Sequence, residues 1–305
     1  MSLLRLIDPT WRVARATDTP PRCIHVLPKH RIVWVMVRKS GCTSILEMLS
    51  RLEGGGSLAP DESVGPGWSV ETGWHDQQVH GLPRLTSLGR SVRRDALHAP
   101  GWWRFAVVRD PYSRFLSAWA DRVFLRTAVD PMLLEDVEDV ILDDGRIDMT
   151  ATFSQFARVV LRSPSRYLSN PHFAPQHTLL CRDIFPDIEV FPLSRIDEVC
   201  MRLAAVTGVP AALRRLNSSL TLDPARLYRH DARQLVSTLY RDDLGCDPTV
   251  PAPPESPSPA LVLTSIESEL VRRFRDARRR IGQLSAHASR QSRVRQQLRR
   301  LLHRR

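Results

Sequence analysis

The stretch "VWVMVRKSGCTS", residues 33–44, is an apolar run that stops at two cations and then at small, polar residues. From Arg31 to Val37 the chain is short, continuous and rich in Val and Ile, the pattern of a buried parallel strand. After the small-residue turn, Ser44 to Leu49 has helical spacing, and Gly54-Gly55-Gly56 ends it. A strand that ends this way ahead of a helix is suited to hold an anion. Gly41 lets the backbone approach closely, and successive N–H groups at a helix N-terminus bind negative charge. Thr43 and Ser44 add hydroxyl donors, and Lys39 adds a compact charge. The order is not that of a Walker loop, where the lysine follows the second glycine; here Lys39 precedes Gly41. An ordinary tight turn with an exposed lysine is the plainer reading, and this stretch alone does not separate the two.

A second unit of the same kind lies at "FAVVRDPYSRFLSAW", residues 105–119. Trp103 to Val108 reads as a strand, Asp110 as a helix cap and Pro111 as the first helical residue, with the helix running to about Phe124. Arg109 then stands at the strand terminus, and Ser117 lies two helical turns beyond the cap. A guanidinium facing a hydroxyl in this way suits a phosphate monoester, although a capped helix with a structural ion pair would give the same residues. Two strand–turn–helix units separated by irregular chain predict an α/β sheet with helices packed on it. In such sheets ligands bind beyond the carboxyl ends of the strands. Further helices are predicted at Phe153–Leu161, Ile196–Val206 and Asp231–Tyr240, and a strand at Ile188–Phe191. Gly54 to Gly73 reads as a loose loop.

Composition narrows the function. The 305 residues suffice for one large domain or two small ones, and the sequence contains no apolar stretch of ~20 residues. The first twenty residues lack the pattern of a signal peptide. The five cysteines, Cys23, Cys42, Cys181, Cys200 and Cys246, are scattered and include no CxxC pair, which argues against a disulfide framework or a zinc site. These features predict a soluble, cytoplasmic protein without a metal. The net charge of +11 is concentrated in the tail: Leu261 to Arg305 holds 13 Arg against Glu267, Glu269 and Asp276. Only Lys29 and Lys39 among the 44 basic residues are lysines, a bias typical of GC-rich genomes. Pro248 to Pro259 is proline-rich, and beyond it Leu263, Ile266, Leu270, Phe274 and Ile281 recur at helical spacing. That stripe predicts a helix docked on its own domain or on a twin subunit. The acidic stretch Asp130–Asp148 offers a surface of opposite sign.

Taken together, the two units resemble the PAPS-dependent sulfotransferases, in the branch containing the carbohydrate sulfotransferases. Lys39-Ser40-Gly41-Cys42-Thr43-Ser44 resembles that branch's P-K-x-x-C-T-x phosphosulfate loop, with Arg38 in place of the proline. Arg109 to Trp119 resembles its V-R-[DE]-P-x-x-R-[LF]-x-S-[AG]-[YW] box. "NPHFAPQHTLLC", residues 170–181, is similar to its H-W-x-P-Q segment, with Phe173 for the Trp, and "LNSS" from Leu216 and "LYRDDL" from Leu239 resemble later segments. The resemblance implies a P-loop-like sulfotransferase fold, a central, mainly parallel sheet flanked by helices. The expected division is a sulfotransferase domain over 1–250, a linker over 251–260 and a basic helical tail over 261–305. It also implies 3′-phosphoadenylyl sulfate (PAPS) as donor, held by Arg38, Lys39, Ser40, Gly41, Cys42, Thr43 and Ser44, with Arg109 and Ser117 on its 3′-phosphate. Lys39 would face the leaving group, and His80 or His172 would serve as general base, with His75 a weaker candidate. The implied acceptor is a hydroxyl of a carbohydrate or of a glycosylated or lipid metabolite. A P-loop kinase and an inactive sulfotransferase-fold binding module are the competing readings. A homodimer through the C-terminal helix and contact of the basic tail with a membrane are further expectations. Sequence-specific nucleic-acid binding is not expected, since no zinc-finger or helix-turn-helix pattern accompanies the arginines.

Overall fold

The apolar run quoted above forms the second strand of a four-stranded sheet. A computed structural model describes residues 23–54, 80–127, 131–134, 136–214, 220, 222–250, 252–253 and 259–302, with side chains described as far as Leu284 in the last helix. Strand β1, Ile24–Leu27, turns through Pro28–His30, and Arg31 at φ 54° reverses the chain into β2, Ile32–Val35. The two pair antiparallel, Ile24 opposite Val35. From β2 the chain enters helix α1, Cys42–Leu52, and later α2, Arg90–His98, before returning as β3, Trp103–Val108. β3 lies parallel to β2, with Ile32 opposite Trp103 and Val35 opposite Ala106. Helix α3, Pro111–Trp119, follows, and then α4, Met149–Arg162. β4, Glu189–Pro192, pairs parallel with β3, and the order across the sheet is β1-β2-β3-β4. The sheet is thus mainly parallel, with helices on it, the architecture that the sequence predicts.

Period-two alternation sorts the strand residues between two apolar layers. Ile32, Trp34, Phe105 and Val107 pack with Ile45, Leu46 and Leu49 of α1 and with Val199 and Leu203 of α5, Ile196–Thr207. Val33, Val35, Ala106 and Val108 face the other way, onto Ala96 of α2 and onto Leu179, Leu180 and Phe185. A third core is largely aromatic: Phe115, Trp119, Phe153, Phe156, Tyr167, Phe173, Tyr228 and Tyr240 join α3 to α4 and to α6, His230–Leu239. β2 and β3, buried on both sides, and the half-buried β4 hold their carboxyl ends at one edge. Arg38–Ser44, Arg109 and Leu193 all leave the sheet there.

Two stretches differ from the sequence-based expectation. The α-helix after Asp110 ends at Trp119, and Ala120–Phe124 continues as a π-turn. Residues 261–263 run beside 147–149, with Leu263 N–H donating to Ile147 O and Met149 N–H to Leu261 O, both at 2.9 Å. Helix α7, Ser265–Leu302, then packs on the domain through Ser268, Val271 and Arg275. Of the expected apolar stripe, Leu263 packs against the domain core, and the central residues do not make that contact. Ile266, Leu270 and Phe274 are exposed, because the surface beneath α7 offers carbonyl oxygens and Asp139, which arginines satisfy and leucines do not. The loop from Gly55 to Gly73 and the "LNSS" segment lie outside the described residues.

Candidate active site

The β2–α1 turn has the backbone an anion site needs. Gly41 is the cap residue of α1 at φ 74° and offers no side-chain cap, so the first-turn amides of Cys42, Thr43 and Ser44 lie ahead of the helix's intrahelical bonding. A Cβ at Gly41 would stand 3.1 Å from Leu193 Cδ1, so the turn is closed to larger residues by strain and by space. Lys39 itself sits at φ 69°, a left-handed conformation that a side-chain-bearing residue adopts at a cost of ~1 kcal/mol or more. Ser40, Cys42, Thr43 and Ser44 are buried, and Arg38 and Lys39 are half-buried.

Two buried side chains lock this turn to the end of β3 and to the 170–176 segment. Arg114, with three N–H donors directed at three carbonyls, bonds Arg38 O at 2.9 Å, Ala174 O at 2.8 Å and Pro171 O at 3.1 Å. Gln176 accepts from Arg109 N–H at 2.8 Å and from the Ser40 hydroxyl at 3.2 Å, while its Nε2 donates to Arg109 O at 2.6 Å. Gln176 is in turn held by Asp243, which accepts from its backbone N–H at 2.6 Å and also pairs with His177 at 3.0 Å. The Arg109 guanidinium consequently lies against the turn, with NH1 3.5 Å from Lys39 O. Asp110 caps α3 by accepting from Ser113 N–H at 2.7 Å, and burial holds its carboxyl above the usual range. Ser113 and Ser117 form the half-buried face of α3, and Asp121 follows one turn later.

The π-turn gives Asp121 its role. Its carboxylate is buried, pairs with Lys39, meets Arg122 Nε at 3.0 Å and accepts from the Thr127 hydroxyl. Burial opposes its charge, yet the lysine, the arginine and these hydrogen bonds together keep it below the ordinary carboxylate range. Lys39 therefore rests against a buried anion, with its charge matched. Asp121 falls in no sequence motif, and Gln176 stands in the P-Q segment without an assigned role; the carboxylate two residues after Trp119 is the only local trace of the former.

The candidate histidines separate by tautomer. His172 belongs to the cluster: burial first, then Arg122, Arg38, Lys39 and Arg114, push its pKa well below 6.5. Asn170 Oδ1 accepts from the His172 backbone N–H at 3.0 Å, which identifies that atom as oxygen. The same oxygen lies 2.9 Å from Nδ1, so Nδ1 carries the proton and Nε2 keeps its lone pair. His80 is placed elsewhere. It is 1% exposed, its ring stacks edge-on against His25 at 5.3 Å, and its carbonyl accepts from Ser50, eight residues into α1 and about 12 Å along the helix from Cys42. Leu82 N–H donates to its Nδ1 at 3.0 Å, which leaves the proton on Nε2. The structure thus groups Arg38, Lys39, Ser40, Arg109 and His172 and does not bring His80 to them. His75 lies outside the described residues. Among the described residues there is no group of three or more His, Cys, Asp or Glu placed to hold a metal.

The chain matches the sulfotransferase family model over residues 22–244 and belongs to that family. Its relatives include carbohydrate sulfotransferase 10 of Xenopus laevis, 29% identical over 151 residues, which is 49% of this chain and 39% of the relative. The Homo sapiens protein of that name is 29% identical over 150 residues, and the Gallus gallus protein 30% over 152, each covering 49% of this chain and 38% of the relative. The chain therefore spans about two fifths of the length of these relatives. No solved structure matches significantly.

Proposed function

We propose that this protein transfers a sulfuryl group from PAPS to a hydroxyl of a carbohydrate or of a glycosylated or lipid metabolite. The observation that carries this reading is the convergence of Lys39, Arg38, Arg109 and the α1 amides on one strand edge beside a neutral His172. These residues fit a phosphosulfate donor: the turn is glycine-capped, strained at Lys39, and walled by Leu193. The α1 amides with Ser40, Thr43 and Ser44 would hold its 5′-phosphosulfate, and Arg109 with Ser117 its 3′-phosphate. When bound, the donor supplies the sulfuryl group, which passes to the acceptor oxygen as the bond to the phosphate breaks.

The chain's own residues do the rest. His172 Nε2 takes the acceptor hydroxyl's proton, and its neutral state leaves it ready to do so near pH 7. Lys39 turns from Asp121 to the departing phosphate, where charge develops, and Arg38 and the α1 amides share that task. The relatives' name, carbohydrate sulfotransferase, favours a sugar hydroxyl over other acceptors. The family match favours this chemistry over that of a P-loop kinase.

Calorimetry with the desulfated donor, adenosine 3′,5′-bisphosphate, against adenosine 5′-phosphate tests the reading. The 3′-phosphorylated nucleotide is expected to bind more tightly, and Arg109→Ala to erase most of that difference, roughly 1.5–3 kcal/mol for a charge-assisted contact. Equal affinity of the wild type for the two nucleotides would contradict the proposed donor.

A further inference from the structure

Helix α7 has two faces with different chemistry. The docked face is polar. Ser268 Oγ accepts from Ile147 N–H at 3.0 Å, Arg272 donates to Gly145 O, Arg275 to Phe124 O and Asp139, and Arg278 to Thr127 O. At 100° per residue these positions lie largely on the far side of the helix from Leu270. The face around Leu270 is apolar and turned outward: Ile266 is 74% exposed, Leu270 60%, Phe274 42% and Leu284 70%, with Ile281 half-buried on the same stripe. Exposed arginines border it. The Arg273 side chain, which pairs with Glu269 at 2.7 Å, is 77% exposed, and Arg280 is exposed as well. No Asp or Glu follows Asp276, whereas ten arginines do.

An apolar stripe bordered by Arg280 and by Arg273, the latter paired with Glu269, and continued by a stretch whose only charges are arginines, limits what can cover it. A second copy of the chain laid parallel would satisfy Leu270 and Phe274 but would bring together the ten arginines that follow Asp276 on each helix, with no carboxylate among them to offset the charge. A polynucleotide would satisfy the arginines and offer nothing to Ile266, Leu270, Phe274 and Leu284. An anionic bilayer satisfies both, taking the apolar side chains at the acyl boundary and the guanidiniums among its phosphates. We propose that α7 binds an anionic lipid surface through Ile266, Leu270, Phe274 and Leu284, while its opposite face stays docked on the domain. This inference does not depend on the chemistry proposed for the Lys39 site.

The test is sedimentation of the full chain with vesicles of phosphatidylcholine alone and of phosphatidylcholine mixed with phosphatidylglycerol. The protein is expected to pellet with the anionic vesicles only, less so as salt is raised. The double variant Ile266→Glu, Leu270→Glu is expected to partition about tenfold less or lower while keeping the wild-type melting temperature, since both side chains are mostly exposed. Undiminished pelleting of that variant, or wild-type protein that stays in solution with both vesicles, would overturn the proposal. So would a dimer in vesicle-free buffer that the double variant makes monomeric without changing lipid binding, an outcome that assigns the stripe to a second copy.

Discussion

Replacing Gln176 with alanine tests whether the site is assembled by the side chain that joins its parts. Gln176 is 1% exposed and makes three close bonds, accepting from Arg109 N–H and Ser40 Oγ and donating to Arg109 O. Each bond contributes ~1 kcal/mol net, and each buried partner left unmatched costs ~1–3 kcal/mol. Gln176→Ala should therefore lose roughly 3–5 kcal/mol, a large part of the ~5–15 kcal/mol typical of a folded domain. The loss is read from the urea midpoint at constant slope. Under conditions where the variant remains folded, its affinity for adenosine 3′,5′-bisphosphate should fall about tenfold or more, because Arg109 is no longer held against Lys39 O. Gln176→Glu keeps both acceptor contacts but sets a carboxylate against Arg109 O, so it should lie between the two. A folded Gln176→Ala protein with wild-type midpoint and wild-type affinity would refute the assigned role.

Lys39→Ala should lower kcat by about a hundredfold or more while weakening donor binding much less, because its charge matters most as the phosphate departs; equal effects on both would make it a binding residue only. His172 is held neutral by burial and cationic neighbours, so protonation disables it only below its depressed pKa, and the acid limb of kcat/KM should fall below pH 6.5. His172→Ala should remove that limb together with the activity, whereas His80→Ala should destabilise the fold and leave the turnover of the folded fraction near normal. Arg275 and Asp139 form a nearly buried pair beneath α7, so Arg275→Met should lower stability by ~3 kcal/mol, and a melt unchanged from wild type would show that α7 is not docked.

Much of the fold is written in local patterns. β3 begins and ends where the sequence places it, because Gly101 and the Asp110-Pro111 cap bracket a run that is apolar except for Arg104. The first helix starts at Cys42 and stops before Gly54 for equally local reasons. β1 escapes such a reading: Ile-His-Val-Leu is four residues long and becomes a strand through its pairing with β2. The site divides in the same way. Lys39, Gly41 and Arg109 are legible because each sits at a strand end. Gln176 and Arg114 stand inside the quoted motifs, but their contacts reach across 57 to 136 positions of sequence, mostly to backbone atoms that any residue could supply, and no spacing announces those partners. The two histidines are alike in sequence and differ in their place in the fold and in who bonds Nδ1, the Leu82 amide or the Asn170 oxygen. At α7 the apolar pattern marks a helix correctly and its docked face incorrectly, since carbonyls and a carboxylate select arginine for the contact.

The central claim is that this constellation moves a sulfuryl group. Its most direct test is transfer of labelled sulfate from PAPS to a panel of sugar, phenol and lipid-alcohol hydroxyls, with the full chain and its Lys39→Ala variant in parallel. Label should appear on a sugar-bearing acceptor with the wild type and be lost with the variant. Tight, 3′-phosphate-dependent nucleotide binding without transfer to any acceptor would contradict the claim and leave a binding module with a sulfotransferase fold.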